Sequence, residues 1–217
     1  MLILVLDAST PVVAVAVAKG GEVWAEISAR GATEALLPAV HAALTLAKEE
    51  LASVERLLVG VGPGTFTGIR IAAATARALS LGTGVALSKN STLAALAAPA
   101  LSYHTDALAV LDARRGQVFA QRFSGVGPTT EILCVKPEDL SSEGAPLVVG
   151  DGAVRYRDAL SPLGPIPPDD SPLHRVTATG HVLSADLTPV GAEEVVPIYV
   201  REPDAEVRRD LNPWSRP

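Results

Sequence analysis

The tripeptide Leu-Asp-Ala occurs at residues 6–8 and again at 111–113, each time closing a short apolar run and each time followed within five residues by a second one. Three matching residues alone are chance, but the shared context makes this an internal repeat. Such a repeat divides the chain into two related halves, and 217 residues suffice for one large domain or two small ones.

The first half is regular. Leu2 to Asp7 reads as a buried strand, and Val12 to Ala18 with Val23 to Ile27 reads as a hairpin around Gly20-Gly21. Thr33 to Leu51 carries Leu36, Leu37, Val40, Leu44, Ala47 and Leu51 at spacings mostly of three and four, which predicts an amphipathic helix whose start is blurred by Pro38. Strands at Leu57–Val61 and Val85–Ser88 alternate with helices at Ile69–Leu81 and Thr92–Leu101. Three strands followed by such units predict a mixed sheet, an antiparallel ribbon joined to parallel crossovers.

The second half begins alike, with a strand at Leu108–Asp112, a turn at Arg114-Arg115-Gly116 and a return strand at Val118–Phe123. It then thins. Short strands at Glu131–Val135 and Pro146–Val149 lead to a short helix ending near Leu160, a loop with five prolines from Pro162 to Pro172, a weakly patterned helix between Arg175 and Leu187, and a last strand at Val195–Arg201.

Composition excludes several functions. Hydrophobic residues make up 48% but aromatics only 4%, so alanine and valine supply the core; of 35 alanines, 28 precede residue 121. Few rings remain on which bases could stack. The net charge of −6 falls wholly within residues 104–217, which argues against a stand-alone nucleic-acid binder. A single cysteine, Cys134, excludes an internal disulfide and a multi-thiolate zinc site and suits a reducing cytosol. The run Leu2–Leu6 has no basic residue before it and is too short for a signal peptide, and Arg70 and Arg77 interrupt the Ala-rich stretches well short of the roughly 20 apolar residues of a membrane span. The expectation is a cytoplasmic protein with no membrane partner.

Asp7 and Asp112 end equivalent strands, so in a two-lobed fold both would face one cleft, where paired carboxylates suit metal–phosphate chemistry. Ser9, Thr10, Gly150 and Gly152 are the neighbouring nucleotide- or phosphate-facing candidates. Alternatively each Asp satisfies donors of its own turn. The loop Gly62–Gly68 joins a strand to a helix, yet it matches no phosphate-binding fingerprint and no lysine lies between Lys48 and Lys89. The favoured reading is that its glycines permit a tight turn and close helix packing, with Thr67 as the cap.

The histidines at 41, 104, 174 and 181 lack metal-ligand spacing, no serine sits in Gly-x-Ser-x-Gly, and Cys134 lies in an apolar run, so no catalytic or metal residue is assigned. The helix Ile69–Leu81 is apolar nearly all round. Either it is central to the core or its second face meets another protein, and the equally Ala-rich Thr33–Leu51 helix favours a partner. The interface candidates are Leu36, Leu37, Val40, Arg70, Ala73, Ala74 and Arg77.

Leu4-Val5-Leu6-Asp7-Ala8-Ser9-Thr10, Gly62-Pro63-Gly64-Thr65-Phe66-Thr67-Gly68-Ile69-Arg70, Leu111-Asp112-Ala113-Arg114, Gly150-Asp151-Gly152 and Pro197-Ile198-Tyr199-Val200-Arg201 resemble, in this order, the bacterial TsaB (YeaZ) family over nearly the whole chain. The second motif is the specific one. The chain departs from the family at Ala32-Thr33, where members often have His before Thr, and in the proline-rich stretch 162–187. The resemblance implies an α/β, two-lobed actin-like fold, each lobe a mixed sheet with flanking helices and the second lobe reduced, divided at 1–103 and 104–217 with residues 202–217 as a tail. It also implies a non-catalytic scaffold that pairs through its first-lobe helices with the transferase TsaD, supports the ATP-hydrolysing subunit TsaE, and also forms homodimers. On that reading it helps make threonylcarbamoyladenosine at position 37 of tRNAs reading codons beginning with A. It meets tRNA only through the complex and has no cofactor of its own, ATP or ADP acting at the multi-subunit interface. Two other readings stand beside it: an actin-like ATPase or phosphotransferase using Asp7 and Asp112, and, weakest, a glycoprotease-like peptidase.

Overall fold

Near-continuous apolar runs, buried on both faces in the first two strands, build an antiparallel ribbon of β1 (Leu2–Asp7), β2 (Val12–Lys19) and β3 (Glu22–Arg30). Gly20 and Gly21 close the β2–β3 hairpin with φ of +62° and +87°, as a two-residue turn matching strand twist requires. In this computed structural model, which describes residues 1–125 and 127–200, α1 (Ala32–Ala47) leads to β4 (Arg56–Gly60), and α2 (Phe66–Thr83) crosses to β5 (Ala86–Asn90). β4 and β5 add in parallel, giving the order β3-β2-β1-β4-β5.

After α3 (Thr92–Leu101), the second half repeats the plan. β6 (Asp106–Arg114) and β7 (Gln117–Ser124) form a hairpin, β8 (Gly127–Pro128) and β9 (Leu133–Val135) extend it beyond β7, and β10 (Leu147–Val149) lies parallel to β6 as β4 does to β1. Short helices α4 (Asp151–Arg155), α5 (Arg157–Leu160) and α6 (Ala178–Ser184) complete the α-helices among the described residues. The second sheet has short strands beyond its β6–β7 hairpin, so that lobe is reduced.

Packing crosses residue 103 in both directions. α1 and α2 cover one face of the first sheet through Leu36, Val40, Ala72 and Ala76, while its other face is covered from the second half by Ala178, Val182 and Leu187 on and after α6. α3 in turn buries Leu93 and Leu96 against the second sheet, and α4 and α5 cover the far side through Ala153 and Leu160.

Three sequence expectations need correcting. The first helix stops at Ala47, where Lys48 turns left-handed at φ +56°, and Leu51 falls in a separate short turn. Pro38 lies inside α1 on its exposed side, without breaking it. The second helix starts at Phe66 with Thr65 at the cap position, so Thr67 lies within it. Of the stretch read as a last strand, Val195–Val200 forms none: Pro197 has no amide to give a ladder, and only Ile198 bonds across, to the Val61 carbonyl. Arg201 and the tail 202–217 lie outside the described residues.

Candidate functional site

β1 delivers Asp7 to a fully enclosed position where every lone pair of its carboxylate meets a donor. Oδ1 accepts the Ser9 backbone N–H at 2.7 Å and the Ser9 hydroxyl at 2.6 Å. Oδ2 accepts the Thr92 hydroxyl at 3.1 Å and His181 Nε2–H at 2.8 Å. The chain of bonds continues outward: Asn90 Nδ2 lies 3.2 Å from His181 Nδ1 and donates to Ser184 Oγ at 2.7 Å, which donates to the Gly180 carbonyl. Residues from β1, β5, α3 and α6 are thereby tied together. Burial, the largest single influence, pushes the Asp7 carboxyl up, but the His181 hydrogen bond and attraction with the two Ser9 bonds outweigh it and hold Asp7 below the usual carboxylate range.

The glycine loop seals this site. A methyl group at Gly60 would overlap the Asp7 carboxylate, at Gly64 the Ser9 backbone, and at Gly68 the Ala8 carbonyl. Thr65 N–H donates to Ser9 O at 2.7 Å. The loop's glycines therefore bring α2 and its lead-in hard against residues 7–9.

Asp112 sits elsewhere and differently. Its side chain meets Arg114 Nη1 at 3.2 Å and Arg155 Nε at 3.8 Å, and Tyr156 Oη donates to it at 3.5 Å. Its backbone N–H donates to Asp151 Oδ1 at 2.9 Å. Burial first, and then the Asp112 charge, push the Asp151 carboxyl up against the backbone bonds that oppose them. Asp7 and Asp112 share no partner. Gly150, at φ +115°, and Gly152 pack α4 onto Val110 of β6, and the Gly150 N–H donates to His174 Nδ1 at 3.1 Å. Thr10 stays within its own turn, its hydroxyl donating to Val12 O. Among the described residues no three His, Cys, Asp or Glu side chains converge as a metal site would require, and no helix is long and apolar enough to cross a membrane.

The helix faces sort the interface candidates. Leu36, Val40 and Ala73 are buried in the chain's own core and are unavailable to a partner. Leu37, Arg70 and Ala74 are exposed, and Arg77 is half-buried with Nη2 donating to Glu193 O. Sequence reasoning missed three further exposed apolar residues: Leu46 at 65% on α1, and Phe66 at 47% and Leu81 at 91% on α2. It also missed His181 and Thr92 as partners of Asp7, and Asn90 as the partner of His181. No local pattern marks them.

The chain matches the model of the TsaD family, tRNA N6-adenosine threonylcarbamoyltransferase, over residues 9–142. It is 36% identical over 148 residues to the tRNA threonylcarbamoyladenosine biosynthesis protein TsaB of Escherichia coli, covering 64% of each chain, and 33% identical over 123 residues to that of Haemophilus influenzae, covering 55% of this chain and 52% of the relative. The match thus spans less than two thirds of these relatives' length. YeaZ from Pseudomonas aeruginosa superposes with a TM-score of 0.77 at 24% identity, covering 91% of this chain and 99% of that one. The fold is the two-lobed actin-like one, and the chain belongs to the TsaB/YeaZ family.

Proposed function

We propose that the chain is a non-catalytic scaffold subunit in the synthesis of threonylcarbamoyladenosine at position 37 of tRNAs reading codons beginning with A, docking through α1 and α2 onto a TsaD-type transferase. The observation that carries the non-catalytic part is the Asp7 carboxylate. An actin-like ATPase centred there would need it free to meet a metal–phosphate group, whereas four donors fill its lone pairs and residues 7–9 and 60–68 close over it. On this reading the cleft holds no nucleotide, and ATP or ADP acts at the multi-subunit interface with a TsaE-type subunit. Contact with tRNA runs through the transferase, consistent with the acidic second half.

Docking is supported by Leu37, Leu46 and Leu81, large apolar side chains on the outer surfaces of two helices whose inner faces are already satisfied by the core. Ala74→Arg places a long charged side chain on that surface without entering the core. It should abolish co-purification with the TsaD-type transferase and the modification of tRNA in a reconstituted system, while leaving the unfolding midpoint unchanged. Retained complex formation would sink the docking reading, and full modification without this chain would sink the scaffold role.

A further inference from the structure

The exposed surface of α2 is chemically lopsided. Its charged residues are Arg70 and Arg77, and no carboxylate occurs between Phe66 and Thr83. Arg77 is half-buried and fastened to the Glu193 carbonyl, but Arg70 is exposed and held in an unusual way for an exposed arginine. Its guanidinium carbon lies 3.6 Å from the Phe66 ring centroid and 5.5 Å from that of Tyr199, the two rings are 5.7 Å apart, and Nε donates to Tyr199 Oη at 2.7 Å. Tyr199 arrives from the last described stretch of the chain, anchored one residue earlier by the Ile198 amide on the Val61 carbonyl. Stacking and the Nε bond together fix a side chain that would otherwise carry much rotamer freedom, and they leave the terminal Nη groups with no acceptor among the described residues.

We infer that Phe66, Arg70 and Tyr199 form a clamp that presents the Arg70 guanidinium to a carboxylate on the protein docked against α2. This rests on the docking reading above and names the chemistry of the partner: a surface of small apolar residues with an Asp or Glu placed opposite Arg70. Arginine held in advance by aromatic rings loses little freedom on binding, and a planar guanidinium pairs with a carboxylate through two parallel bonds, which is why arginine and tyrosine recur among the residues that dominate interfaces. Charge complementarity also separates this partner from a second copy of the chain. An isologous pairing would bring an α2 that bears arginines and no acid against itself, with Glu34 of α1 as the one carboxylate the two helices offer.

The test uses the full-length chain and the TsaD-type transferase of the same organism, with affinity measured by calorimetry and folding checked by thermal unfolding. Arg70→Glu should weaken binding by about 30-fold or more, Arg70→Lys by about tenfold and Tyr199→Phe by about threefold, all with unchanged melting. Wild-type affinity should fall more steeply with salt than that of Arg70→Ala. If Arg70→Glu binds within about twofold of wild type while Ala74→Arg does not bind, docking stands and the clamp falls; if Ala74→Arg also binds normally, docking itself fails. Sedimentation of the chain alone supplies the other decisive arm. Self-association that is lost in Arg70→Glu and restored in the Glu34→Lys, Arg70→Glu double variant would make the second copy the occupant and overturn the proposal.

Discussion

Asp7 and Asp112 come from the same tripeptide and end equivalent strands, yet one is sealed among neutral hydroxyls, an amide and an imidazole and the other faces two guanidiniums. The difference lies in what covers each strand end. α6 crosses from the second half onto the first sheet and places His181 on Asp7, whereas the end of β6 is met only by the short α4 and by the Arg114-Arg115-Gly116 turn, where Arg114 and Arg155 keep about 60% of their side chains in water. A shared local sequence therefore fixes the strand end and its carboxylate but not the role of that carboxylate.

The largest expected effect tests that contrast directly. Removing His181 leaves a buried, ionised Asp7 short of one donor and opens a gap between α6 and the first sheet, so His181→Ala should cost about 3–5 kcal/mol in urea unfolding. Arg114→Ala removes a mostly exposed guanidinium from the nearly buried Asp112 carboxylate, which keeps the residue-114 amide, Tyr156 Oη and Arg155, and should cost about 1–2 kcal/mol. Equal losses would mean that the two strand ends are energetically alike and that the enclosure of Asp7 has no special weight.

This contrast also shows where sequence stops being informative. The hairpins, the crossover units and the thinning of the second half follow from period-two and period-three-to-four patterns, which are local. The Asp7–His181 contact joins residues 174 positions apart, and His181 lies in a weakly patterned segment, so nothing near either residue announces the other. Three of the seven interface candidates, Leu36, Val40 and Ala73, lie in the core for a more instructive reason. Leu36 and Val40 are the regularly spaced apolar residues of α1, and regular spacing marks the face turned to the core. Of the residues of α1 that reach outward, Leu37 is one of the interface candidates and Leu46 falls off that stripe. Val195–Val200 misled similarly: Val195 and Ile198 are apolar because they fill the first lobe's core, not because they join a ladder.

A middle-sized effect compares how the two lobes pack a glycine against their hairpin strand. At Gly68 an added methyl would strike the Ala8 carbonyl, rigid backbone that also sets the position of Asp7. At Gly152 its nearest neighbour is a Val110 methyl at 2.9 Å, the end of a side chain that can rotate, with backbone atoms at 3.0 Å behind it. Gly68→Ala should therefore cost about 2–3 kcal/mol and Gly152→Ala about 1 kcal/mol in thermal unfolding. The reverse order would show that the second lobe is the more tightly packed of the two.

The smallest effect is in pH, where the two regions carry opposite signs. Asp7 is held below its ordinary value despite burial, so its ionised form is worth stability above the unfolded carboxylate range near pH 4, and that contribution is lost as the pH falls through its folded value. Asp151 is pushed up, chiefly by burial and further by the Asp112 charge. The unfolded chain releases that proton first, so stability declines as pH rises from the unfolded value through the folded one. Asp151→Asn keeps an oxygen to accept the Asp112 amide while abolishing the ionisation. Urea midpoints measured from about pH 3 to pH 7 should therefore lose the decline on the alkaline side of pH 4 in this variant, with a change at neutral pH of less than about 1 kcal/mol in the stabilising direction. Asp7→Asn should instead flatten the acid side of the profile. A decline that survives Asp151→Asn would place the raised carboxyl elsewhere and remove the second region's part of the contrast.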